Sequence, residues 1–291
     1  MDLSRALPYL LLAPALLTVL AIFAYPLLDG LRASTQVYRF GEAIDSVGLK
    51  NYTDVLGDPE FRTALWTTLK FVTLSVALET VLGLALALFC ARTLPFIRLL
   101  RSILIIPMVV TPVAIGIVFR LLYSSDVGLF TTVSEGLGGG AVQILSKESG
   151  AFLGLVALDV WEWTPLIFLI CLAGIQSLPT EPFEAAKVDG ASTWRTFWDH
   201  TLPMLRPVLT VAIVLRTIEA FTTFDQPFVL TRGGPGTSTK LISQLGYETA
   251  FKFQQVGYAM AMLVMVGLVV LAVSFVAVRL IRRTADEGVA A

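Results

Sequence analysis

Long apolar segments separated by shorter polar ones run through the whole chain. The hydrocarbon core of a bilayer, about 30 Å thick, needs about 20 helical residues per crossing. The segments that reach this length, and in which we predict helices, are residues 8–30, 64–91, 99–123, 151–176, 204–230 and 256–281. The pattern predicts an all-α polytopic membrane protein with six transmembrane helices, and we expect residues 1–291 to form a single transmembrane domain.

The composition excludes a water-soluble protein. The chain is 56% hydrophobic and only 15% charged, and its mean hydropathy is +0.78, whereas a soluble domain has about 25% charged residues. Lipid must therefore cover most of the exterior. A net charge of -1 argues against nucleic acid as a partner. The two cysteines, Cys90 and Cys171, lie inside apolar segments and are interpreted as small hydrophobic side chains.

Clusters of arginine set the expected orientation in the membrane, because basic residues near the ends of crossings favour the cytoplasmic side. One cluster lies around the short loop that joins the second and third segments, and another lies at the C-terminal end of the sixth: Arg92, Arg98, Arg101, Arg279, Arg282 and Arg283. With six crossings, both clusters lie on one side, so we expect both termini in the cytoplasm. The first apolar segment exceeds a signal-peptide core of roughly 7 to 15 residues, and we expect it to be a retained anchor.

The polar loop between the fourth and fifth crossings predicts two short helices. Pro182 suits the first turn of a helix, because its missing N–H costs nothing there. Gly190 can adopt a left-handed conformation and end that helix. Ser192 or Thr193 can cap a second helix, which Pro203 is expected to close. From these features alone, the loop is either an amphipathic segment lying in the membrane interface or a surface that docks another protein.

A motif in this loop favours docking. Glu184-Ala185-Ala186 is followed after three residues by Gly190, and later by Leu202-Pro203. This pattern resembles the EAA loop of permeases in binding-protein-dependent ABC importers, with one departure, since the apolar position of the motif is His200. The resemblance implies a type I ABC importer permease fold and a cytoplasmic coupling loop over 177–203. The implied ATPase-coupling residues are Glu184, Ala185, Ala186, Asp189, Gly190, Leu202 and Pro203.

A second, independent similarity covers the fifth and sixth crossings. Residues 224–235, 247–251 and 257–261 resemble the corresponding segments of carbohydrate-type (maltose-type) permeases. The resemblance implies the transmembrane subunit of an ATP-driven importer for an oligosaccharide, polyol or glycoside, in the inner membrane of a bacterium or archaeon. Its implied partners are a second permease in a heterodimer, two ATP-binding subunits and an extracytoplasmic solute-binding protein.

We do not expect this chain to be an enzyme. It contains no G-x-x-x-x-G-K-[ST] phosphate loop, so ATP and magnesium are expected on the partner ATPase subunits, with no cofactor or metal in this chain. Two other classes stay open: a secondary transporter that moves protons on Glu79, Glu219 or Asp225, and an intramembrane enzyme, which a single histidine disfavours. Within the importer class, the alternative solute is a non-sugar such as a glycerol phosphate ester.

Ionisable residues within the predicted crossings should face the protein interior or a cavity, because each costs roughly 2.5 to 3.5 kcal/mol at a lipid-exposed helix centre. We expect Lys70 and Arg120, near helix ends, to snorkel toward the membrane surface. Arg216 and Glu219 are three residues apart and are predicted to form an ion pair. The full set is Lys70, Glu79, Arg120, Asp159, Glu162, Arg216, Glu219 and Asp225.

Two polar clusters predict a solute path. The first combines the carboxylates of Asp159 and Glu162 with tryptophan rings, a composition that suits sugar hydroxyls and C–H faces, although tryptophan also anchors membrane interfaces. The second surrounds Pro227, which should free a backbone carbonyl one turn earlier; the alternative is a helix break whose polar groups satisfy one another. The predicted path residues are Trp161, Glu162, Trp163, Glu219, Thr222, Asp225, Gln226, Gln244 and Tyr247.

Overall fold

The computed structural model of the protein describes residues 3–39, 42–92 and 95–289. Helices dominate this part of the chain, as the sequence predicts, and π-helical turns connect some of them. The α-helices are α1 Leu3–Val19, α2 Tyr25–Ala33, α3 Lys50–Gly57, α4 Pro59–Cys90, α5 Ile97–Val109, α6 Pro112–Leu122, α7 Leu129–Gly136, α8 Glu148–Gln176, α9 Glu181–Val188, α10 Thr193–Thr196, α11 Leu202–Thr222, α12 Asp225–Leu230, α13 Ile242–Tyr247 and α14 Val256–Val289.

Within the described residues, five helical segments are long and apolar enough to cross a membrane, and a bent pair of helices supplies a sixth if it is counted as one span. The five are Leu11–Ala33, Pro59–Cys90, Glu148–Gln176, Thr193–Thr222 and Val256–Val276, and the bent pair is α5 with α6. The predicted fold class, an all-α polytopic membrane protein, is thereby confirmed.

The third predicted segment, 99–123, is not one straight helix. Helix α5 ends at Val109, α6 begins at Pro112, and the two axes differ by 95°. Thr111 precedes the proline and has an extended backbone with ψ 137°, because a residue before proline is disfavoured in the helical region. The prolines are visible in the sequence, but the angle they produce is set by how the two halves pack.

The chain packs as two compact units, Met1–Arg62 with Leu245–Leu268, and Thr63–Gln244 with Val269–Ala291. In the first unit, residues 50–57 form the short helix α3, and β1 Gln36–Arg39 pairs antiparallel with β2 Glu42–Ser46. The Asn51 side chain donates to the carbonyl oxygens of Ser34 and Gln36 at 2.9 and 3.0 Å. The prediction of one transmembrane domain over 1–291 stays a prediction.

The core of the second unit lies among α4, α8 and α11. Its buried side chains include the two cysteines, both free, which act as the small apolar residues that the sequence predicts. Glycines allow these helices to approach closely, as is common between membrane helices. The cluster comprises Ala87, Cys90, Ile167, Phe168, Cys171, Leu172, Leu205, Leu209 and Ala212.

Gly83 lies at a close contact between α4 and α8. A Cβ atom added there would be 2.8 Å from the Cβ of Ile167 and 2.9 Å from the backbone nitrogen of Phe168. Because a helix backbone cannot move aside alone, we expect Gly83→Ala to destabilise the protein by about 1–3 kcal/mol. The midpoint of thermal unfolding in detergent measures this loss. The matched control is Gly267→Ala on α14, where a Cβ meets nothing within 4 Å; equal midpoints for the two variants would contradict the prediction.

Candidate functional site

The first half of the coupling loop is a short helix with a glycine stop. Helix α9 carries Pro182 in its first turn, and Gly190 follows it with φ +72°. The N–H of Gly190 donates to the carbonyl of Lys187 at 3.1 Å, and that of Ala191 donates to Ala186 at 2.9 Å. These paired bonds form a Schellman motif, which satisfies the last carbonyls of a helix. The predicted helix stop at Gly190 is confirmed.

The second half of the loop leads directly into the fifth crossing. Ser192 caps α10, since its hydroxyl accepts a hydrogen bond from the backbone N–H of Arg195 at 3.3 Å. Of the two caps that the sequence offered, Ser192 or Thr193, the structure uses Ser192. The helix then continues through a π-helical turn, Phe197–Thr201, into α11. Pro203 lies in the first turn of α11, so the prediction that it closes the second short helix is wrong. The proline lies just after the π-helical turn, at a point where the regular pattern of α-helical hydrogen bonds is already interrupted.

The motif residues present a small, exposed surface. Glu184, Ala185, Asp189 and Gly190 are exposed, whereas the Ala186 side chain is buried. Leu202, Pro203 and His200 are half-buried at the start of α11. Because the exposed Ala185 and Gly190 carry almost no side chain, another protein's backbone can approach the end of α9 closely. The geometry provides a projecting elbow, and its role in docking stays a prediction.

A buried ionic triad ties together the three central helices of the second unit. The Arg216 guanidinium on α11 donates from Nε to Glu79 Oε2 at 2.7 Å and from Nη2 to Asp159 Oδ2 at 2.6 Å. All three side chains are fully buried. The predicted pairing of Arg216 with Glu219 is wrong, since the guanidinium binds Glu79 and Asp159 instead and the Glu219 side chain is exposed. Charges so far from solvent are retained only when they are paired.

One turn from the triad, two predicted path residues bind each other. Glu162 of α8 accepts a hydrogen bond at 2.5 Å from Nε2 of Gln226 on α12. Both side chains are buried, at 1% and 2% exposure. Trp163 is half-buried and holds its ring 5.1 Å from the Arg216 Cζ atom, a cation–π contact. The structure therefore places Glu162 and Gln226 inside the bundle, where their hydrogen bond joins α8 to α12, and leaves part of Trp163 exposed.

Trp161 is the predicted path residue with a large exposed aromatic face. Its side chain is 46% exposed, and its ring packs 5.3 Å from that of Phe119 on α6. The sequence analysis did not identify Phe119, because an aromatic side chain in a crossing that contains prolines is not by itself a sign of a binding site. The bend between α5 and α6 brings the two rings together and forms an aromatic patch.

The break in the fifth predicted segment, 204–230, exposes a second group of predicted residues. Helix α11 ends at Thr222, and α12 begins at Asp225. The carbonyl that Pro227 was predicted to free, that of Thr223, accepts a hydrogen bond from Ser243 Oγ at 2.5 Å, so it is already engaged. The side chains of Glu219, Thr222 and Asp225 are exposed. Gln244 also belongs to the second unit and is buried there. Tyr247 belongs to the first unit and is 38% exposed.

Fold and site define a polytopic membrane subunit whose paired charges are buried and whose short helical elbow projects from the membrane-spanning helices. Residues 80–286 match the family of binding-protein-dependent transport system inner membrane components. The chain belongs to this family.

Relatives match over nearly the whole chain. The trehalose/maltose transport system permease protein of Thermococcus litoralis is 38% identical over 276 residues, which cover 94% of this chain and 92% of the relative. The trehalose transport system permease protein of Mycobacterium tuberculosis is 34% identical over 288 residues, 98% of this chain and 92% of the relative. The sulfoquinovosyl glycerol transport system permease protein of Agrobacterium fabrum is 33% identical over 283 residues, which cover 96% of this chain and 91% of the relative.

Solved structures share the fold. One of them is the crystal structure of a bacterial alginate ABC transporter in complex with an alginate pentasaccharide-bound periplasmic protein. A chain of that structure aligns with a TM-score of 0.85 at 21% sequence identity, and the alignment covers 98% of this chain and 97% of that one. A chain of the MetNI methionine ABC transporter aligns with a TM-score of 0.55 at 17% identity, covering 80% and 98%. The predicted permease fold is confirmed.

Proposed function

We propose that this chain is the membrane-spanning permease subunit of an ATP-driven importer that takes up a sugar or sugar derivative. The observation that carries the proposal is the set of near full-length relatives named for sugar systems. They include permeases for trehalose and maltose, for trehalose and for arabinooligosaccharides, the last from Bacillus subtilis at 32% identity over 288 residues.

The proposed assembly contains a second permease, two ATP-binding subunits and an extracytoplasmic solute-binding protein. The dependence on a binding protein follows the name of the family, and the alginate transporter was crystallised with its periplasmic protein. ATP and magnesium would bind to the ATPase subunits, and both termini of this chain would lie in the cytoplasm. This subunit would transmit force and line half of the translocation path without catalysing a reaction itself.

The coupling loop over 177–203 is the proposed point of force transmission. Closure of the ATPase pair would move the exposed face of α9, with Glu184 and Ala185, relative to the membrane. Because the π-helical turn joins α10 to α11 without a break, displacement of the elbow would tilt the fifth crossing. The buried triad then carries that motion to α4 and α8, since Arg216 binds a residue on each. The cavity would thereby open alternately to the two sides.

The proposed solute path follows the exposed members of the predicted set. Trp161 supplies an aromatic face for sugar C–H groups, together with Phe119. Glu219, Thr222 and Asp225 supply acceptors for hydroxyl groups at the break between α11 and α12. Among the remaining predicted path residues of this unit, Glu162, Gln226 and Gln244 are buried and Trp163 is partly exposed; we propose that they support the path. Tyr247 belongs to the other unit, and its place in the path stays a prediction.

The proposed function is tested by uptake into proteoliposomes. The chain is reconstituted with the permease, ATPase and binding protein with which it assembles, and labelled trehalose, maltose, arabinooligosaccharides and sulfoquinovosyl glycerol are offered in turn. Uptake of one of them that requires ATP and the binding protein is the expected result. Uptake by the chain alone, or uptake driven by a proton gradient without ATP, would overturn the proposal and favour a secondary transporter.

Trp161→Ala should lower solute-stimulated ATPase activity of the assembled complex by about five- to tenfold, because an aromatic stacking contact of roughly 1 kcal/mol or more is lost with its buried area. Asp225→Ala should lower it similarly. The control is Trp66→Ala on α4, which removes another exposed tryptophan, 61% exposed, outside the proposed path. Normal stimulation in both path variants, or an equal loss in the control, would assign Trp161 and Asp225 a structural role.

A further inference from the structure

A cavity of about 610 Å³ lies between the coupling loop and the end of the second crossing. This volume falls within the range of small-molecule sites, about 300–1,000 Å³. Its wall comes from the last turn of α4, from one face of α9, and from α10 with the π-helical turn that follows. The lining residues include Leu88, Arg92, Phe183, Lys187, Trp194 and Phe197.

The charges in this wall are all positive. Arg92 and Lys187 line the cavity, and no acidic residue does. Within the described part of the chain, neither side chain forms an ion pair or a side-chain hydrogen bond. Arg101, on α5, is engaged elsewhere, since its Nη2 donates to the carbonyl oxygen of Cys90 at 2.6 Å. Arg92 and Lys187, from separate elements, therefore line one cavity, and neither charge is paired within the described part of the chain.

The cavity and the motif surface occupy different faces of α9. Residues four apart lie on the same side of a helix, so Phe183 and Lys187 share the face that lines the cavity. Glu184 and Val188 form the neighbouring face, which is exposed, with Val188 at 87%. A protein that grips the exposed face of α9 therefore leaves the cavity side available to another ligand.

We propose that this cavity binds an anionic phospholipid, with the phosphate between Arg92 and Lys187 and the acyl chains against Leu88 and Phe197. This proposal depends on the proposed function in one respect, because it takes from it that the coupling loop lies on the cytoplasmic side. Basic pockets at the cytoplasmic ends of membrane helices bind anionic headgroups, and each basic side chain near such a surface contributes about 1 kcal/mol. Trp194, 70% exposed at the rim, has the character of an interfacial anchor.

Lipid matches this wall better than a protein segment does. The cavity combines apolar side chains at the end of a membrane crossing with two basic side chains, a composition that suits a phospholipid at the bilayer surface. The bound lipid would hold the elbow at a fixed distance from α4. It would thereby restrict the motion of α9, whose exposed face is proposed to contact the ATPase, relative to the fifth crossing.

Native mass spectrometry of the full-length protein, with the subunits that co-purify, tests the proposal. The protein is exchanged into nanodiscs of phosphatidylcholine with an equal share of phosphatidylglycerol, extracted, and scored for retained lipid. We expect preferential retention of phosphatidylglycerol, and a loss of about thirty-fold in that preference in the Arg92→Gln, Lys187→Gln double variant, which removes two basic contributions. Arg98→Gln, in the first turn of α5 and outside the cavity wall, is the matched control and should retain the lipid.

Ala191→Trp provides a second variant, because it fills the cavity from its lining without removing a charge, and it should also expel the lipid. Equal retention of the two lipids, unchanged preference in the double variant, or an equal loss in Arg98→Gln would overturn the proposal. Displacement by glycerol 3-phosphate would identify a soluble phosphate ester instead, and loss of lipid on ATPase binding would identify the ATPase as the occupant. Retention is independent of transport, so failure here is distinguishable from failure of the proposed importer function.

Discussion

Replacing Arg216 by methionine is expected to destabilise the protein by about 3–5 kcal/mol, because it leaves two carboxylates buried without a counter-charge. Glu79 and Asp159 are both fully buried and both bind the Arg216 guanidinium. Their Coulomb repulsion would no longer be offset, and neither can reach solvent. The measurement is the thermal-unfolding midpoint of the detergent-solubilised chain, together with the fraction that elutes as a monodisperse species.

The control is Glu219→Gln, one turn along the same helix, where the side chain is exposed and little change in the midpoint is expected. A rescue experiment sharpens the test. Combining Arg216→Met with Glu79→Gln and Asp159→Asn removes every charge of the triad, and uncharged groups of similar size often replace a buried ion network without loss of stability. If the triple variant were as unstable as Arg216→Met, uncompensated charge would not be the cause.

Gly190→Pro is expected to reduce ATP-driven uptake to background while leaving insertion in the membrane unchanged. Gly190 has φ +72°, whereas proline is fixed near −65°. Proline also removes the N–H that bonds to the carbonyl of Lys187, so the helix stop and the direction of α10 are lost together. The strain is of the order of 1–3 kcal/mol and is confined to an exposed loop, which is why the transmembrane core should survive.

The matched control is Gly190→Asn, because asparagine tolerates the left-handed conformation better than other residues with a side chain. A Cβ at this position meets nothing within 4 Å, so the added side chain has room. Uptake and ATPase activity are measured in proteoliposomes, and insertion is followed by the amount of protein in the membrane fraction. Normal uptake by Gly190→Pro would remove the coupling loop from the mechanism.

Local signals in the sequence predicted the parts of the fold that depend on neighbouring residues. The membrane segments follow from continuous hydrophobicity, and the stop at Gly190 and the cap at Ser192 follow from the conformations these residues favour. The pairing of β1 with β2 was not predicted, since two short strands next to a helix give no alternating pattern long enough to recognise.

The partners of Arg216 show why the rest could not be predicted. Its neighbour Glu219 was the obvious choice by spacing, yet the guanidinium binds Glu79 and Asp159 on two other helices. Sequence separation carries no information about such contacts, because they depend on which faces of α4, α8 and α11 pack together. The same holds for Phe119, whose place beside Trp161 depends on the bend between α5 and α6.

The order in which the triad is synthesised has a consequence for biogenesis. Glu79 precedes Arg216 by 137 residues and Asp159 precedes it by 57. Both acids therefore emerge from the ribosome and enter the lipid phase before the base that neutralises them exists. We expect the second and fourth crossings to stay beside the insertion machinery until the fifth arrives, and nascent chains that end before Arg216 to be recognised and degraded by membrane proteases.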